Sequence, residues 1–299
     1  MSTALGRYGI WSGALRAEGN ADNGEVIEAV RELEELGYGA LWIGGSSDVS
    51  HAAPLVEATS SIVLATGILS IWQHDPADVA ARHTALTAAH PGRFLLGLGA
   101  SHAQLAAAYQ RPYSTMVSYL DALDAAERPV PASERVLAAL GPKMLKLAAD
   151  RAVGAHPYLV TAEHTAEARA TLGETALLAP ELKVILETDP QRARTIARDY
   201  LARFLALPNY TNNFLRLGFT EDDFAGGGSD RLVDAVFAWG DAERVRARTD
   251  EFLAAGADHL ALQVVESSDA KGLPREGYRH LAEVLRIKGR QALATYPQT

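Results

Sequence analysis

Ser61-Ile62-Val63-Leu64-Ala65-Thr66-Gly67-Ile68-Leu69 is followed by the helical stretch Pro76–Ala89, the turn Pro91-Gly92 and then Phe94-Leu95-Leu96-Gly97-Leu98. A nearly continuous apolar run of strand length marks a strand buried on both faces, as in a parallel sheet. Two such runs joined by a helix make a right-handed β-α-β unit. Pro76 fits the first turn of its helix, where a missing N–H costs nothing.

The same alternation extends to both sides. Upstream, Arg7–Trp11 and Ala40–Ile43 read as strands, with helices over Gly24–Leu36 and Ser50–Thr59. In the first helix Val26, Ile27, Val30, Leu33 and Leu36 recur at helical spacing. Downstream, strands are expected at Arg135–Leu140, Gly154–Val160, Leu182–Glu187 and His259–Val265. Helices are expected from Pro142 to about Ala152, over Thr165–Leu172, Pro190–Ala206, Asp241–Ala255 and Pro274–Lys288. About eight strands, each followed by a helix, point to an α/β fold and favour a closed (β/α)₈ barrel; a doubly wound open sheet is the rival. A single domain over residues 1–299 is expected. Two segments exceed one β/α unit, Tyr109–Pro131 after strand four and Asn209–Trp239 after strand seven. Insertions of this kind usually sit over the active face of a barrel.

The bulk numbers narrow the function. The 299 residues are 48% hydrophobic and 22% charged, with a formal net charge of −9. An acidic surface argues against nucleic-acid or membrane partners, since both present phosphates. No cysteine is present, which removes disulfides, thiolate catalysis and cysteine-ligated metals. Neither a signal-peptide core within Met1–Arg7 nor an apolar run of the ~18 residues that a membrane span requires is found. A cytoplasmic protein acting on a small-molecule substrate is the expectation. P-loop, H-E-x-x-H and G-x-S-x-G patterns are absent, and the histidines form no metal pair, so no metal site is expected.

Chemistry-bearing residues cluster at the expected strand ends. Gly97-Leu98-Gly99-Ala100-Ser101-His102 is a partial glycine motif in which His102 replaces the third glycine. Its small residues let a flat ligand approach the backbone, or simply make a tight turn. Thr66-Gly67-Ile68 invites a bulge or close ligand approach, a packing glycine being the alternative. Leu140-Gly141-Pro142-Lys143 ends a strand and opens a helix, whose free N–H groups attract an anion. An ordinary Pro-initiated helix with a surface lysine explains the same residues. His74, His102 and His156 each follow a strand end, where barrels carry catalytic groups. Trp11, Trp42, Trp72 and Tyr158 stand where they would wall an aromatic cofactor or pack the core.

Taken together, three stretches resemble the luciferase-like monooxygenase family, in particular its branch that uses the deazaflavin coenzyme F420. They are Ile62–Leu69 with His74-Asp75-Pro76, Pro91–Gly99, and Gly141-Pro142-Lys143-Met144-Leu145 running on to Gly154-Ala155-His156-Pro157. Trp239-Gly240-Asp241 through Ala255–His259 is similar to the family's closing unit. The resemblance implies a bacterial-luciferase-like barrel, usually a homodimer, with the coenzyme at the C-terminal strand ends. It implies a non-proline cis peptide at Gly67–Ile68 beneath the coenzyme ring. It places Gly99, Ala100 and Ser101 beside the coenzyme and Leu140, Gly141, Pro142 and Lys143 near its phosphate, with Gly45, Ser46, Thr66, Gly67 and Ile68 as further coenzyme-binding candidates. Many F420-using relatives end strand two with an Asp-His pair, where this chain reads Gly45-Ser46. The proton partner therefore falls to His102, His156, His74 or Asp48. The resemblance leads to an F420-dependent oxidoreductase; an FMN-dependent monooxygenase of the same fold and a non-catalytic coenzyme-binding homologue are the alternatives.

Overall fold

A computed structural model describes residues 5–16, 24–102, 110–270 and 272–289. Its strands are β1 (Tyr8–Ser12), β2 (Ala40–Gly44), β3 (Val63–Gly67), β4 (Leu69–Ser70), β5 (Phe94–Gly99), β6 (Arg135–Leu137), β7 (Gly154–Ala155), β8 (Leu177–Leu178), β9 (Glu181–Ile185), β10 (Phe237–Trp239) and β11 (Leu260–Val264). Every pairing is parallel, in the order β10-β9-β11-β1-β2-β3-β5-β6-β7-β8, with β4 beside β5. The order closes on itself, because β8, at its far end, and β9 are halves of one extended segment. Across the break, the Glu181 amide donates to the Pro157 carbonyl and the Ala261 amide to the Pro180 carbonyl. The strands thus close into a (β/α) barrel whose eight positions are β1, β2, β3 with β4, β5, β6, β7, β8 with β9, and β11, while β10 pairs with β9 on the side away from β11.

Burial follows the sequence pattern. Residues of β2, β3 and β5 are buried throughout, as strands covered on one side by helices and on the other by the barrel interior must be. Helix Pro76–Ala89 has the expected bounds, its start capped by the Asp75 carboxylate. Other boundaries move by one to four residues, the last helix ending at Val284 rather than Lys288. The sixth strand is much shorter than the run Gly154–Val160. Only Gly154–Ala155 pairs; Pro157 has no N–H to donate, and the chain bends at Leu159, whose φ is 55°. The strands Leu177–Leu178 and Phe237–Trp239 carry too few residues to stand out as periodic runs.

The extra segments behave differently. The first, expected from Tyr109 to Pro131, begins on a residue outside the described ones. Its helix, Pro112–Asp124, packs beside Pro76–Ala89 and Pro142–Arg151 as the ordinary outer helix of the fourth unit. The second forms helices Pro208–Arg216 and Asp230–Val236 and strand β10. Among the described residues, no helix is long and apolar enough to cross a membrane, and no group of three or more metal-ligating side chains is gathered.

Candidate functional site

Parallel register brings the strand ends to one rim. Gly44 is opposite Gly67, Ser70 opposite Gly99, Leu98 opposite Leu137, and Leu137 opposite Ala155. The residues that follow therefore converge, and they enclose a cavity of about 680 Å³. That size suits a coenzyme-sized ligand. Gly45, Ser46, Gly67, Ile68, Ala100, Ser101, His102, Leu140, Gly141, Pro142 and His156 all line it. These come from five separate stretches of sequence, and register alone assembles them.

The floor is built around Gly67. The Gly67–Ile68 peptide bond is cis, as the family resemblance implies. The Trp11 indole N–H donates to the Gly67 carbonyl at 3.0 Å. A Cβ on Gly67 would meet Trp11 Nε1 at 2.8 Å, so only glycine lets the indole lie across this strand end. Gly99 lies just behind, where a Cβ would stand 2.6 Å from the Ile68 side chain. Gly99 thus supports Ile68 from below and is not itself part of the lining. Thr66 is likewise an internal clamp: its hydroxyl donates to the Gly97 carbonyl and accepts from the Gly97 amide, both at 2.8 Å.

Across the cavity, Gly141 opens helix Pro142–Arg151 with no side chain capping it. An uncapped helix start offers backbone donors and a partial positive charge to an anion. The Leu140 carbonyl is fixed by His164 Nε2 at 2.8 Å and by Arg216 at 3.2 Å. Lys143, by contrast, is exposed and points away from the lining.

The three histidines are in different situations. His156 is buried and stacks on Trp42 with ring centroids 4.1 Å apart. Its Nδ1 is 2.6 Å from the Ala179 carbonyl, which only accepts, so the proton sits on Nδ1. Its Nε2 has no partner in the structure. Burial pushes the ring's pKa down to about 4, outweighing the bond to Ala179. His102 faces the Tyr210 ring at 4.8 Å, with Nδ1 unpartnered, and burial lowers its pKa too. Both are neutral near pH 7. His74 is not on the lining; its Nδ1 lies 3.8 Å from Asp48. Asp48 caps helix Val49–Glu57 and pairs with Arg82, so it is not available as a replacement acid.

Several lining residues escaped the sequence reading. Tyr200, Arg203 and Phe204 project from helix Pro190–Leu205, and Asn209, Tyr210, Asn213 and Arg216 from the extra helix Pro208–Arg216. The Asn209 amide donates to the Ser101 carbonyl at 3.2 Å, so this insertion does lie across the active face. Its polar-aromatic run Asn209-Tyr210-Thr211-Asn212-Asn213 was the available signal. Inside the barrel, Lys183 Nζ and Glu181 Oε2 form a buried pair at 2.7 Å, and Nζ stands 3.9 Å from the Tyr158 ring centroid. Two charges two residues apart in an apolar strand were the clue there.

A profile of the family described as luciferase-like monooxygenase matches residues 8–259. An F420-dependent secondary alcohol dehydrogenase, solved with an F420–acetone adduct, superposes with a TM-score of 0.69 at 14% identity, covering 95% of this chain and 99% of that one. The FMN-bound oxygenating constituent of 3,6-diketocamphane monooxygenase from a Pseudomonas putida plasmid superposes at 0.63 with 13% identity, covering 94% and 96%. Similarity to 4-hydroxyprotoasukamycin monooxygenase of Streptomyces nodosus subsp. asukaensis reaches 36% over 83 residues, which is 25% of this chain and 22% of that protein's length.

Proposed function

Because this chain belongs to the luciferase-like monooxygenase family, we propose that it is an F420-dependent oxidoreductase acting on a small organic substrate, as a cytoplasmic homodimer. The observation that carries the reading is the cavity itself, floored by Gly67–Ile68 and facing the uncapped helix start at Gly141. A flat ring fits over the glycine floor, and a phosphate fits the helix start. The unpartnered buried Nε2 of His156 fits a donor on the bound ligand. The resemblance of the strand-three and strand-four stretches to the F420 branch is what favours the deazaflavin.

When bound, the coenzyme would supply two-electron hydride chemistry at its ring carbon. The protein's part is to position and to manage a proton. Trp11 holds the Gly67 carbonyl and so fixes the floor. The insertion, tied down by Asn209, limits water access. His102 and His156, both neutral on the lining, are the groups placed to exchange a proton with substrate through Nδ1 and Nε2 respectively. With Gly45 and Ser46 at the end of β2, no acid stands there to share that role.

The short match to a monooxygenase supports a second reading, FMN-dependent oxygenation with a partner reductase. Titration of the purified protein with F420 and separately with FMN, followed by fluorescence, tests the choice. Micromolar or tighter binding of F420 with weak FMN binding is expected. The reverse preference would transfer the protein to the monooxygenase reading, and binding of neither would refute both.

A further inference from the structure

One cation on the cavity lining is not used by the coenzyme site described above. Arg203, exposed at the last turn of helix Pro190–Leu205, lines the cavity. Its guanidinium carbon stands 4.1 Å from the Tyr200 ring centroid and 4.9 Å from that of Phe204. Among the described residues it has no carboxylate partner. Its neighbours do: Arg194 and Arg198 on the same helix pair with Asp230 and Asp234, and Arg216 pairs with Glu167. A guanidinium stacked on two rings is already ordered, so binding costs it little entropy, and its edge N–H groups stay free.

The rings beneath Arg203 continue to the floor. Ring centroids are 5.4 Å apart for Tyr200–Phe204, 5.7 Å for Phe204–Tyr158 and 5.1 Å for Tyr158–Trp11. Trp11 in turn holds the Gly67 carbonyl. The hydroxyls of Tyr158 and Tyr200 do not interrupt this strip, because they close a ring of hydrogen bonds with Gln263 at 2.7 to 3.1 Å. These rings, inclined to their neighbours by 29° to 50°, line the cavity from its floor to a forked cation at its outer end. Ring faces take a planar apolar body, and the fork matches a carboxylate with two parallel bonds.

The geometry points to a subsite for a planar, apolar carboxylate, its body on the strip from Trp11 to Phe204 and its acid group on Arg203. This rests on reading the cavity as the reaction site. A carboxylate reaches Arg203 either on the substrate, as inferred here, or on the acidic tail that F420 carries.

The test uses trans-cinnamate and its neutral isostere cinnamamide, titrated by calorimetry into the coenzyme-free protein and into Arg203→Gln. F420 is titrated into both proteins separately, so that loss of the coenzyme reading and loss of this one are distinguishable. Cinnamate is expected to bind at least about tenfold tighter than cinnamamide, a preference that Arg203→Gln removes while F420 affinity stays within about twofold. Equal binding of the two probes, binding of neither, or a preference that survives Arg203→Gln overturns the inference. So does a tenfold loss of F420 affinity in Arg203→Gln with the cinnamate preference intact, which would assign the guanidinium to the coenzyme. Thermal unfolding of the variant checks that the exposed substitution leaves the fold intact.

Discussion

Replacing Lys183 by Met should destabilise the protein by an amount that grows with pH. Lys183 and Glu181 are 0% and 1% exposed, and their contact at 2.7 Å is the carboxylate's only ion pair among the described residues. The Leu159 amide also donates to Oε2, while Oε1 has no partner. Burial already pushes the Glu181 pKa above its ordinary 4.5, and Lys183 opposes that shift. Without the ammonium, the buried carboxyl escapes its uncompensated charge by staying protonated. That limits the cost to the free energy of protonating an ordinary carboxyl, about 4 kcal/mol at pH 7.5 and about 1 kcal/mol at pH 5.5. The sign follows from linkage: the variant's folded state keeps a proton that its unfolded state has released, so stability falls as pH rises above about 4.5. The upper figure agrees with the ~3–5 kcal/mol typical of breaking a buried pair from one side. Urea unfolding at the two pH values, followed by tryptophan fluorescence, measures the difference. Equal losses at both, or a loss under about 1 kcal/mol at pH 7.5, would refute the reasoning. The double variant Glu181→Leu with Lys183→Met should recover most of the stability, since a well-packed apolar pair leaves no charge behind.

Other outcomes are expected from the same geometry. Gly67→Ala places a Cβ 2.8 Å from Trp11 Nε1; displacement of the indole should weaken coenzyme binding about tenfold or more, read by fluorescence titration. His102→Ala should depress turnover far more than coenzyme affinity, and unchanged turnover would remove His102 from the mechanism. Burial lowers the pKa values of His83, His156 and His259 from 6.5 to about 4. Between those values the unfolded chain binds protons that the folded one refuses, so stability should fall as pH drops from 6.5 towards 4. The slope should approach about 4 kcal/mol per pH unit near pH 5, and a flat profile of urea midpoints over that range would contradict it.

Much of the site was legible before any coordinates. Gly67, Ala100, Gly141 and His156 fall at strand ends because short apolar runs mark where strands stop, and parallel strands stop on one rim. What could not be read was direction. Thr66 and Gly99 lie within the right strands, yet Thr66 turns to Gly97 and Gly99 supports Ile68 from behind. His74 and His102 both follow strand ends, but only His102 turns inward; His74 turns to Asp48.

Local sequence determined what is set by local physics: the strand and helix ladder, the helix start at Pro142, and the glycines at the floor. Each depends on burial periodicity, missing donors or backbone room within a few residues. Tertiary structure alone decided that Tyr158, Tyr200 and Phe204, spread over 47 positions of chain, form one wall beside Trp11, and that Lys183 finds Glu181 inside the barrel. Such contacts depend on which face of a helix meets which strand end, and that is fixed by closure of the whole barrel rather than by any segment of it.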